Sequence, residues 1–257
     1  MKNKKIEEYK SKLKTFYREK FLVNTEIHEN DFIFDFLVSN PCFSNIKEAS
    51  NYYFEDGLKS ANLLRKILFE ELFLMDALKN IKLLEFASGY GCVTRHISSI
   101  IPGLNLTASD IHLEASQFIK DNFGCSFIQS TTNPDDYPNE IFDIIFALSF
   151  FSHMPRSTWT KWLNTLVNRC NPGGYIIFTT HGFESLKYLN CPSLDQDGFF
   201  FRSDSEQKDL AITDYGLTAT SPLFVIKEID KINKCKLISL KIGYWWSHQD
   251  LYILKRV

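Results

Sequence analysis

Closely spaced cysteine pairs are missing from the chain. Its six cysteines are scattered, and no two of them form a C-x-x-C motif. A structural zinc site or the disulfide framework of a small secreted domain needs cysteines at short, paired spacings. The scattered pattern argues against both classes and predicts reduced thiols in a cytoplasmic protein that holds no metal.

Long apolar runs and a surplus of one charge are missing as well. No run approaches the roughly 20 residues of a membrane-spanning helix, and no apolar stretch follows the basic start, so neither a membrane span nor a signal peptide is predicted. A net charge of −2 gives no electrostatic reason to expect a nucleic-acid partner. Residues 1–20 hold eight Lys or Arg against three Glu; this is typical of a solvated amphipathic helix, with contact to an anionic surface as the alternative.

The apolar residues that are present predict an α/β fold. They make up 44% of 257 residues, enough for the core of one large domain. From about residue 81 their spacing alternates between strand and helix periods. Three local details are predicted with it: Ser157 caps a helix, Pro172 to Gly174 form a turn before a strand, and 243–248 link a final antiparallel pair of strands.

The sequence LLEFASGYGCVTRHI, residues 83–97, carries the first functional signal. An apolar run passes through Gly89 and Gly91 into a helical pattern, which predicts a strand, a tight turn and a helix. Glycines let the backbone approach a ligand closely, and the helix N-terminus offers free N–H groups. Thr94 stands where a dinucleotide-binding turn has its third glycine, and Glu85 at the strand tip would repel a diphosphate but attract an ammonium group.

A second apolar run ends on Asp110, where a carboxylate is placed to accept the hydroxyls of a ribose. The two signals together predict a ligand with a ribose and a positively charged amino-acid tail. The turn, with Glu85, Ala87, Gly89 and Gly91, resembles motif I of the class I S-adenosylmethionine-dependent methyltransferases. Ala87 replaces the first glycine of that motif.

The resemblance extends over residues 81–257 and implies a fold. That fold is a Rossmann-like sheet of seven strands, the last one antiparallel, with helices on both faces. It also implies an N-terminal helical extension or lid over 1–80 and an insertion at about 183–219. Peptides such as NYYFEDGLKS (51–60) and ALSFFSHMP (147–155) resemble a bacterial subgroup that acts on small molecules or sugars.

The same resemblance implies where S-adenosylmethionine binds, with S-adenosylhomocysteine as the product. Its methionine end is placed on motif I, its ribose on Asp110, its adenine beside Ile111, and its sulfonium beside Leu148 and Ser149. The implied cofactor-binding residues are Tyr53, Gly57, Ser60, Glu85, Ala87, Ser88, Gly89, Gly91, Asp110, Ile111, Ser130, Thr131, Leu148 and Ser149. A core aromatic is the alternative role for Tyr53.

Two histidines are candidate catalytic residues. A hydroxyl acceptor must lose its proton near the transition state, and a histidine is a natural base. Ligands of open α/β sheets bind outside the carboxyl ends of the strands, where the loops after strands four and five place His153 and His181. His248 begins the antiparallel strand at that edge. Capping a helix is the alternative for His153, and binding a loop backbone is the alternative for His248.

The predicted function is S-adenosylmethionine-dependent methylation, most simply O-methylation of a small molecule or a sugar. N-methylation, another use of the same cofactor, and a non-catalytic binding module on the same fold are the alternatives. The insertion, with Phe199, Phe200 and Phe201, is predicted to cover the acceptor, while a homodimer contact or packing onto the sheet would use the same rings.

Overall fold

A computed structural model of the chain describes residues 2–74, 80–190, 193–204, 207 and 209–257, with side chains from Ile6 onward. Among the helices of these residues, none combines the length and apolar character needed to cross a bilayer. The cysteines in this part of the chain, Cys42, Cys92, Cys125, Cys170 and Cys235, are free thiols, and Cys191 lies outside it.

Four helices precede the first strand. They are α1 (Lys2–Lys12), α2 (Lys14–Phe21), α3 (Phe32–Ser39) and α4 (Ile46–Lys66), the last followed by a π-helical turn at Ile67–Glu71. Asp31 begins α3 by accepting the N–H of Phe34, and Asn45 begins α4 by accepting the N–H of Glu48. These caps satisfy N–H groups that the first helical turn leaves without partners.

Strands and helices alternate in the rest of the chain. They are β1 (Lys82–Phe86), α5 (Thr94–Ile100), β2 (Asn105–Asp110), α6 (Leu113–Phe123), β3 (Ser126–Gln129), β4 (Phe142–Ala147), α7 (Arg156–Asn168), β5 (Cys170–His181), α8 (Phe183–Leu186), β6 (Phe199–Arg202), β7 (Leu217–Thr220), α9 (Pro222–Asp230), β8 (Cys235–Trp245) and β9 (Gln249–Arg256). Gly124 ends α6 in the left-handed conformation, which glycine adopts without strain.

The main sheet has seven strands in the order β3-β2-β1-β4-β5-β9-β8. The pairs β1–β4, β2–β3 and β4–β5 are parallel, whereas β9 runs antiparallel to both β5 and β8. This confirms the predicted sheet with an antiparallel last strand. The strands β6 and β7 of the insertion form a separate antiparallel pair.

The chain forms two compact units. The first consists of Met1–Ile81 and Ser88–Gln129, and the second of Lys82–Ala87 and Ser130–Val257. The N-terminal helices therefore group with residues that follow the first strand. The division into an extension over 1–80 and a domain over 81–257 remains a prediction about the chain.

Each unit has an aromatic-rich core. In the first unit, Tyr9 and Tyr17 are fully buried with Phe34 and Phe54 between the N-terminal helices. In the second, Phe178 stacks on Tyr252 at 5.1 Å between ring centroids. Burial of such rings is the main apolar contribution to the stability of each unit.

Three local predictions are wrong. Ser157 lies within α7, which begins at Arg156 after Pro155 and has no side-chain cap. Residues 172–174 belong to β5, which pairs with β4 through a register shift. The strand β8 continues to Trp245, so the link to β9 is shorter than residues 243–248. In both strands these residues lie at a register shift, where the strand continues through residues without a regular pairing partner, and periodicity alone cannot show this.

The first unit buries His96 completely. Neither ring nitrogen has a hydrogen-bond partner in the described residues. Its ring lies edge-on to Phe21, at 6.1 Å between centroids. Burial lowers the pKa of His96 to about 3, and the nearby Arg95 cation adds to this shift.

We expect His96→Leu to protect the protein against acid. Since the folded pKa lies below the ordinary value of 6.5, the unfolded chain binds the proton first, and stability is lost as the pH falls below that value. The loss at pH 5 is about 2 kcal/mol for this residue. Urea unfolding at pH 7 and pH 5 should show a smaller loss in the variant, and an equal loss in both proteins would contradict the assignment.

Candidate active site

The glycine turn starts at the end of β1, in the second unit, and continues into the first. Glu85 on β1 is 4% exposed. Ala87, which replaces a motif glycine, has a φ of 59°. This left-handed conformation suits glycine and strains alanine, so the substitution keeps the backbone path of the motif at a cost in stability.

The two glycines of the turn, both in the first unit, play different roles. A Cβ on Gly91 would stand 2.5 Å from the Phe123 ring, whereas a Cβ on Gly89 would meet one atom within 4 Å, the terminal carbon of Ile33 at 3.9 Å. Gly91 is thus required by packing. The open space beside Gly89 leaves its backbone accessible to a ligand.

Asp110 closes the turn from the end of β2. Its Oδ2 accepts the N–H of Gly89 at 2.8 Å, while its Oδ1 accepts the N–H of His112 at 3.1 Å and lies 2.6 Å from His112 Nδ1. The carboxylate is nearly buried, at 7% exposure. Carboxylate oxygens offer about four acceptor positions, so this group can still receive a hydroxyl donor. His112, at the N-terminal end of α6, is the partner that sequence reasoning missed.

A buried cation, Arg95, donates a hydrogen bond to the same turn. Arg95, at 3% exposure on α5, donates to the carbonyls of Gly91, Asn24 and Glu26 and to the hydroxyl of Tyr53. Tyr53 in turn donates to Asp31 at 2.6 Å. Desolvation raises the pKa of the Asp31 carboxyl, and the hydrogen bond from Tyr53 opposes that shift.

The three residues expected on the lid lie on α4 and are buried. Tyr53 and Ser60 have no exposed surface, and a Cβ on Gly57 would stand 2.3 Å from the carbonyl oxygen of Cys92. Gly57 therefore allows α4 to approach the turn closely. Tyr53 has the position of a core aromatic, and cofactor contact by these three residues remains a prediction.

Three further implied cofactor-binding residues follow two different strands: Ile111 follows β2, and Ser130 and Thr131 follow β3. Ile111, in the first unit, accepts a hydrogen bond from the Gln129 side chain through its carbonyl. In the second unit, Ser130 is 9% exposed, and the Thr131 hydroxyl donates to the carbonyl of Asn133 at 2.7 Å.

In the second unit, β4 ends in a strained polar corner. Leu148 is partly buried, and Ser149 has a φ of 59°. The N–H of Ser149 donates to Thr179 Oγ1, and its hydroxyl accepts from the Gln249 amide, both at 2.8 Å. Thr179 also donates to Gln249 at 2.6 Å. Sequence reasoning missed Thr179 and Gln249, which hold Ser149 in a conformation that non-glycine residues rarely adopt.

The three histidines converge at the carboxyl edge of β5. The ring centroids of His153 and His181 are 6.3 Å apart, and those of His181 and His248 are 6.0 Å apart. The Nδ1 atom of His153 lies 2.8 Å from the carbonyl oxygen of Gly216. The Nδ1 atom of His181 lies 3.1 Å from the carbonyl oxygen of Thr218. A carbonyl only accepts, so Nδ1 carries the proton in the neutral rings and Nε2 is the basic nitrogen.

The insertion supplies the wall of this histidine row. Tyr215 stacks on His153 at 4.4 Å with ring planes 9° apart, and β7 offers the carbonyl that holds His181. Phe199, expected on a cover, is instead 4% exposed and packs on Phe224. Residues 191, 192, 205, 206 and 208 of the insertion lie outside the described residues.

The histidines differ in their electrostatic environment. Burial lowers the pKa of His181 to about 3, and a charge on His153 would lower it further. Burial also lowers the pKa of His248. Within the part of the chain that the structure describes, no three His, Cys, Asp or Glu side chains are grouped closely enough to hold a metal ion.

Asp250, next to this row on β9, is fully buried. Its Oδ1 accepts the N–H of Gly243 at 2.8 Å, and among the described residues its Oδ2 has no hydrogen-bond partner. Burial raises the pKa of this carboxyl to about 6, and the negative charge of Glu184 contributes to the increase.

We expect Asp250→Asn to stabilise the protein at pH 7. The folded pKa lies above the ordinary 3.8, so the native state is destabilised as the pH rises from that value through the folded pKa, by up to about 3 kcal/mol. The amide keeps an oxygen for Gly243 and cannot ionise. Thermal unfolding should show a gain at pH 7 that shrinks towards pH 4; a gain of constant size would rule out ionisation as its cause.

The comparisons with known proteins agree with this geometry. Residues 57–220 match a family described as a methyltransferase domain. No curated protein sequence is significantly similar to the chain.

Solved structures share the fold at low sequence identity. An S-adenosylmethionine-dependent methyltransferase from Clostridium acetobutylicum ATCC 824 has a TM-score of 0.54 at 15% identity, with 78% of this chain and 91% of that one covered. The magnesium protoporphyrin IX methyltransferase of Synechocystis PCC 6803, with bound S-adenosylmethionine, has a TM-score of 0.54 at 10% identity, with 95% and 97% covered.

The N-methyltransferase NodS of Bradyrhizobium japonicum WM9, in complex with S-adenosylhomocysteine, has a TM-score of 0.54 at 12% identity, with 88% of this chain and 99% of that one covered. These likenesses concern the fold, and the family match covers more than half of the chain. The chain therefore belongs to the methyltransferase domain family and is an S-adenosylmethionine-dependent methyltransferase with the class I fold.

Proposed function

We propose that the chain methylates a hydroxyl oxygen of a small molecule or sugar, with His153 as the general base. The observation that carries the proposal is the histidine row at the carboxyl edge of β5, where main-chain carbonyls fix the rings of His153 and His181. A ring fixed in this way presents its basic nitrogen in one direction, which general base catalysis requires.

The residues of the glycine turn fit S-adenosylmethionine. Gly89 leaves open space for the ligand, Asp110 can accept the ribose hydroxyls, and Glu85 can pair with the ammonium group of the amino-acid tail. When bound, the cofactor supplies an electrophilic methyl group on a sulfonium and leaves as the thioether S-adenosylhomocysteine.

His153 is better suited than His181 to take the proton of the acceptor. A base works best when its pKa lies near the working pH. With a pKa of about 3, His181 stays neutral and holds a proton poorly, so it serves as a hydrogen-bond acceptor. His153 is less buried and is held between the Gly216 carbonyl and the ring of Tyr215.

The base is tested by replacing each histidine separately. We expect His153→Ala to lower kcat by about a hundredfold to ten-thousandfold, and His181→Ala to lower it less, while the affinity for S-adenosylhomocysteine stays within a few-fold in both. Acceptors would be methyl glycosides, phenols and amino sugars, with mass spectrometry locating the methyl group on oxygen or nitrogen.

The pH profile separates catalysis from positioning. If His153 is the base, the acid limb of the rate profile should disappear in His153→Ala and persist in His181→Ala. Near-normal turnover of both variants and of the double variant would show that transfer needs no histidine base. Methyl groups found only on amines would reassign the enzyme as an N-methyltransferase.

The cofactor site is tested by Gly89→Ala. The left-handed φ of 55° at Gly89 should make alanine cost about 1 kcal/mol of stability, and the added methyl group should weaken S-adenosylhomocysteine binding at least tenfold in calorimetry. Gly124→Ala is the matched control, because it has a φ of 65° and also points into open space. It should lose similar stability and bind normally.

Gly91→Ala should behave differently from both variants, since its methyl group collides with Phe123. We expect it to be less stable than Gly89→Ala. Normal binding by folded Gly89→Ala would place the cofactor elsewhere.

A further inference from the structure

The turn between β8 and β9 has an unusual composition. Trp246 and Ser247 have φ values of 51° and 59°, and the N–H of His248 donates to the carbonyl of Trp245 at 3.1 Å. Trp246 and Ser247 are the central residues of a β-turn inside the three-residue link between the paired Trp245 and Gln249. Positive φ at both central positions favours Asn-Gly there. A tryptophan in this conformation is strained, and strain of this kind gathers at functional sites.

Core packing does not explain Trp246. Its neighbour Trp245 is fully buried and lies against Phe146, at 5.5 Å between ring centroids. Trp246 is only partly buried and stacks beside His248 at 6.1 Å. Tyr188, which is 64% exposed, lies 5.6 Å from His248. The second unit therefore holds an aromatic surface continuous with the histidine row.

The polar groups of this surface are hydrogen-bond acceptors. The Ser185 hydroxyl donates to the carbonyl of His248 at 2.6 Å and lies 3.1 Å from its Nδ1. A hydroxyl has one proton to give, so it accepts from Nδ1. In His248, as in His181, the proton is thereby assigned to Nδ1, and Nε2 is the nitrogen that receives a donor.

The histidines of this surface are uncharged. Burial lowers the pKa of both His181 and His248, so both rings are neutral at physiological pH. The ammonium of Lys187 lies 5.1 Å from the centroid of the Tyr188 ring. It forms an ion pair with the Glu184 carboxylate, at 3.0 Å between Nζ and Oε2. Neutral imidazoles accept hydroxyl groups and give no compensation to a carboxylate or phosphate. Aromatic faces combined with acceptors suit a ring that is apolar on one face and bears hydroxyl donors at its rim.

We propose that Tyr188, Trp246 and His248 form the acceptor subsite, and that the acceptor is an uncharged sugar ring. The sugar stacks on Trp246 and donates hydroxyl groups to His248 and His181. This inference rests on the proposed function and narrows its substrate to one class.

The test removes the tryptophan without harming the turn. Asn is favoured where Trp246 stands, so Trp246→Asn should fold and unfold at a higher temperature than the parent. The probes are uncharged methyl glycosides of hexoses and deoxyhexoses, added to the full chain saturated with S-adenosylhomocysteine. In the parent protein, saturation-transfer NMR should show that the ring protons of the sugar contact the protein. In Trp246→Asn, the affinity for the glycoside should fall at least tenfold.

Ser247→Gly is the matched control. It relieves strain at the adjacent turn position and keeps all three rings, so its melting temperature should rise while glycoside binding is unchanged. In turnover, Trp246→Asn should raise KM for the glycoside at least tenfold and change kcat much less.

The outcomes separate this inference from the proposed function. The sugar assignment would be overturned if the protein bound S-adenosylhomocysteine but no glycoside. It would also be overturned if the protein preferred planar phenols or sugar phosphates. Methyl transfer as the function would stand in each case. Equal glycoside affinity in the parent and in Trp246→Asn would overturn the subsite. If His153→Ala alone fails to affect turnover, the assignment of the base fails while the subsite stands.

Discussion

The first unit depends on the need to satisfy one buried cation. The guanidinium of Arg95 lies out of water and would cost several kcal/mol if left without partners. Its hydrogen bonds go to Gly91 in the glycine turn, to Asn24 and Glu26 in the N-terminal segment, and to Tyr53 on α4. These hydrogen bonds hold the glycine turn, the N-terminal segment and α4 in one fixed arrangement. The open space beside Gly89 belongs to this arrangement.

The second unit uses neutral groups for a similar purpose. Main-chain carbonyls of the insertion fix His153 and His181, and side-chain hydrogen bonds fix Ser149. Such partners set the direction of each ring and backbone group without adding charge. The site is therefore built mainly from positioned dipoles, which suits a reaction in which a sulfonium loses its positive charge.

Signals that lie close together in the sequence predicted the fold well. The glycine turn follows from local periodicity and from residues with special backbone freedom. The seven-stranded sheet with an antiparallel last strand was implied by the resemblance to the class I methyltransferases. The convergence of the histidines was also predictable, because strand order fixes which loops share an edge. The Ser157 cap was wrong because the N-cap position of α7 is Pro155, two residues earlier.

Long-range partners could not be predicted in this way. The burial of His96 and the link from Asp31 through Tyr53 to Arg95 join segments separated by tens of residues, and no periodic pattern records such contacts. His112 could have been found, since it follows Asp110 at the spacing of a local side-chain turn. The strain at Trp246 is likewise invisible in the sequence until β8 is known to continue to Trp245.

The direction of synthesis gives the arginine network a further consequence. Each described hydrogen-bond acceptor of the Arg95 side chain, from Asn24 to Gly91, precedes it in the chain. During synthesis, these acceptors therefore leave the ribosomal exit tunnel before Arg95 does. A proteolytic cut that released the first 30 residues would remove two of these acceptors together with the helices that exclude water. The guanidinium would then draw solvent to the glycine turn.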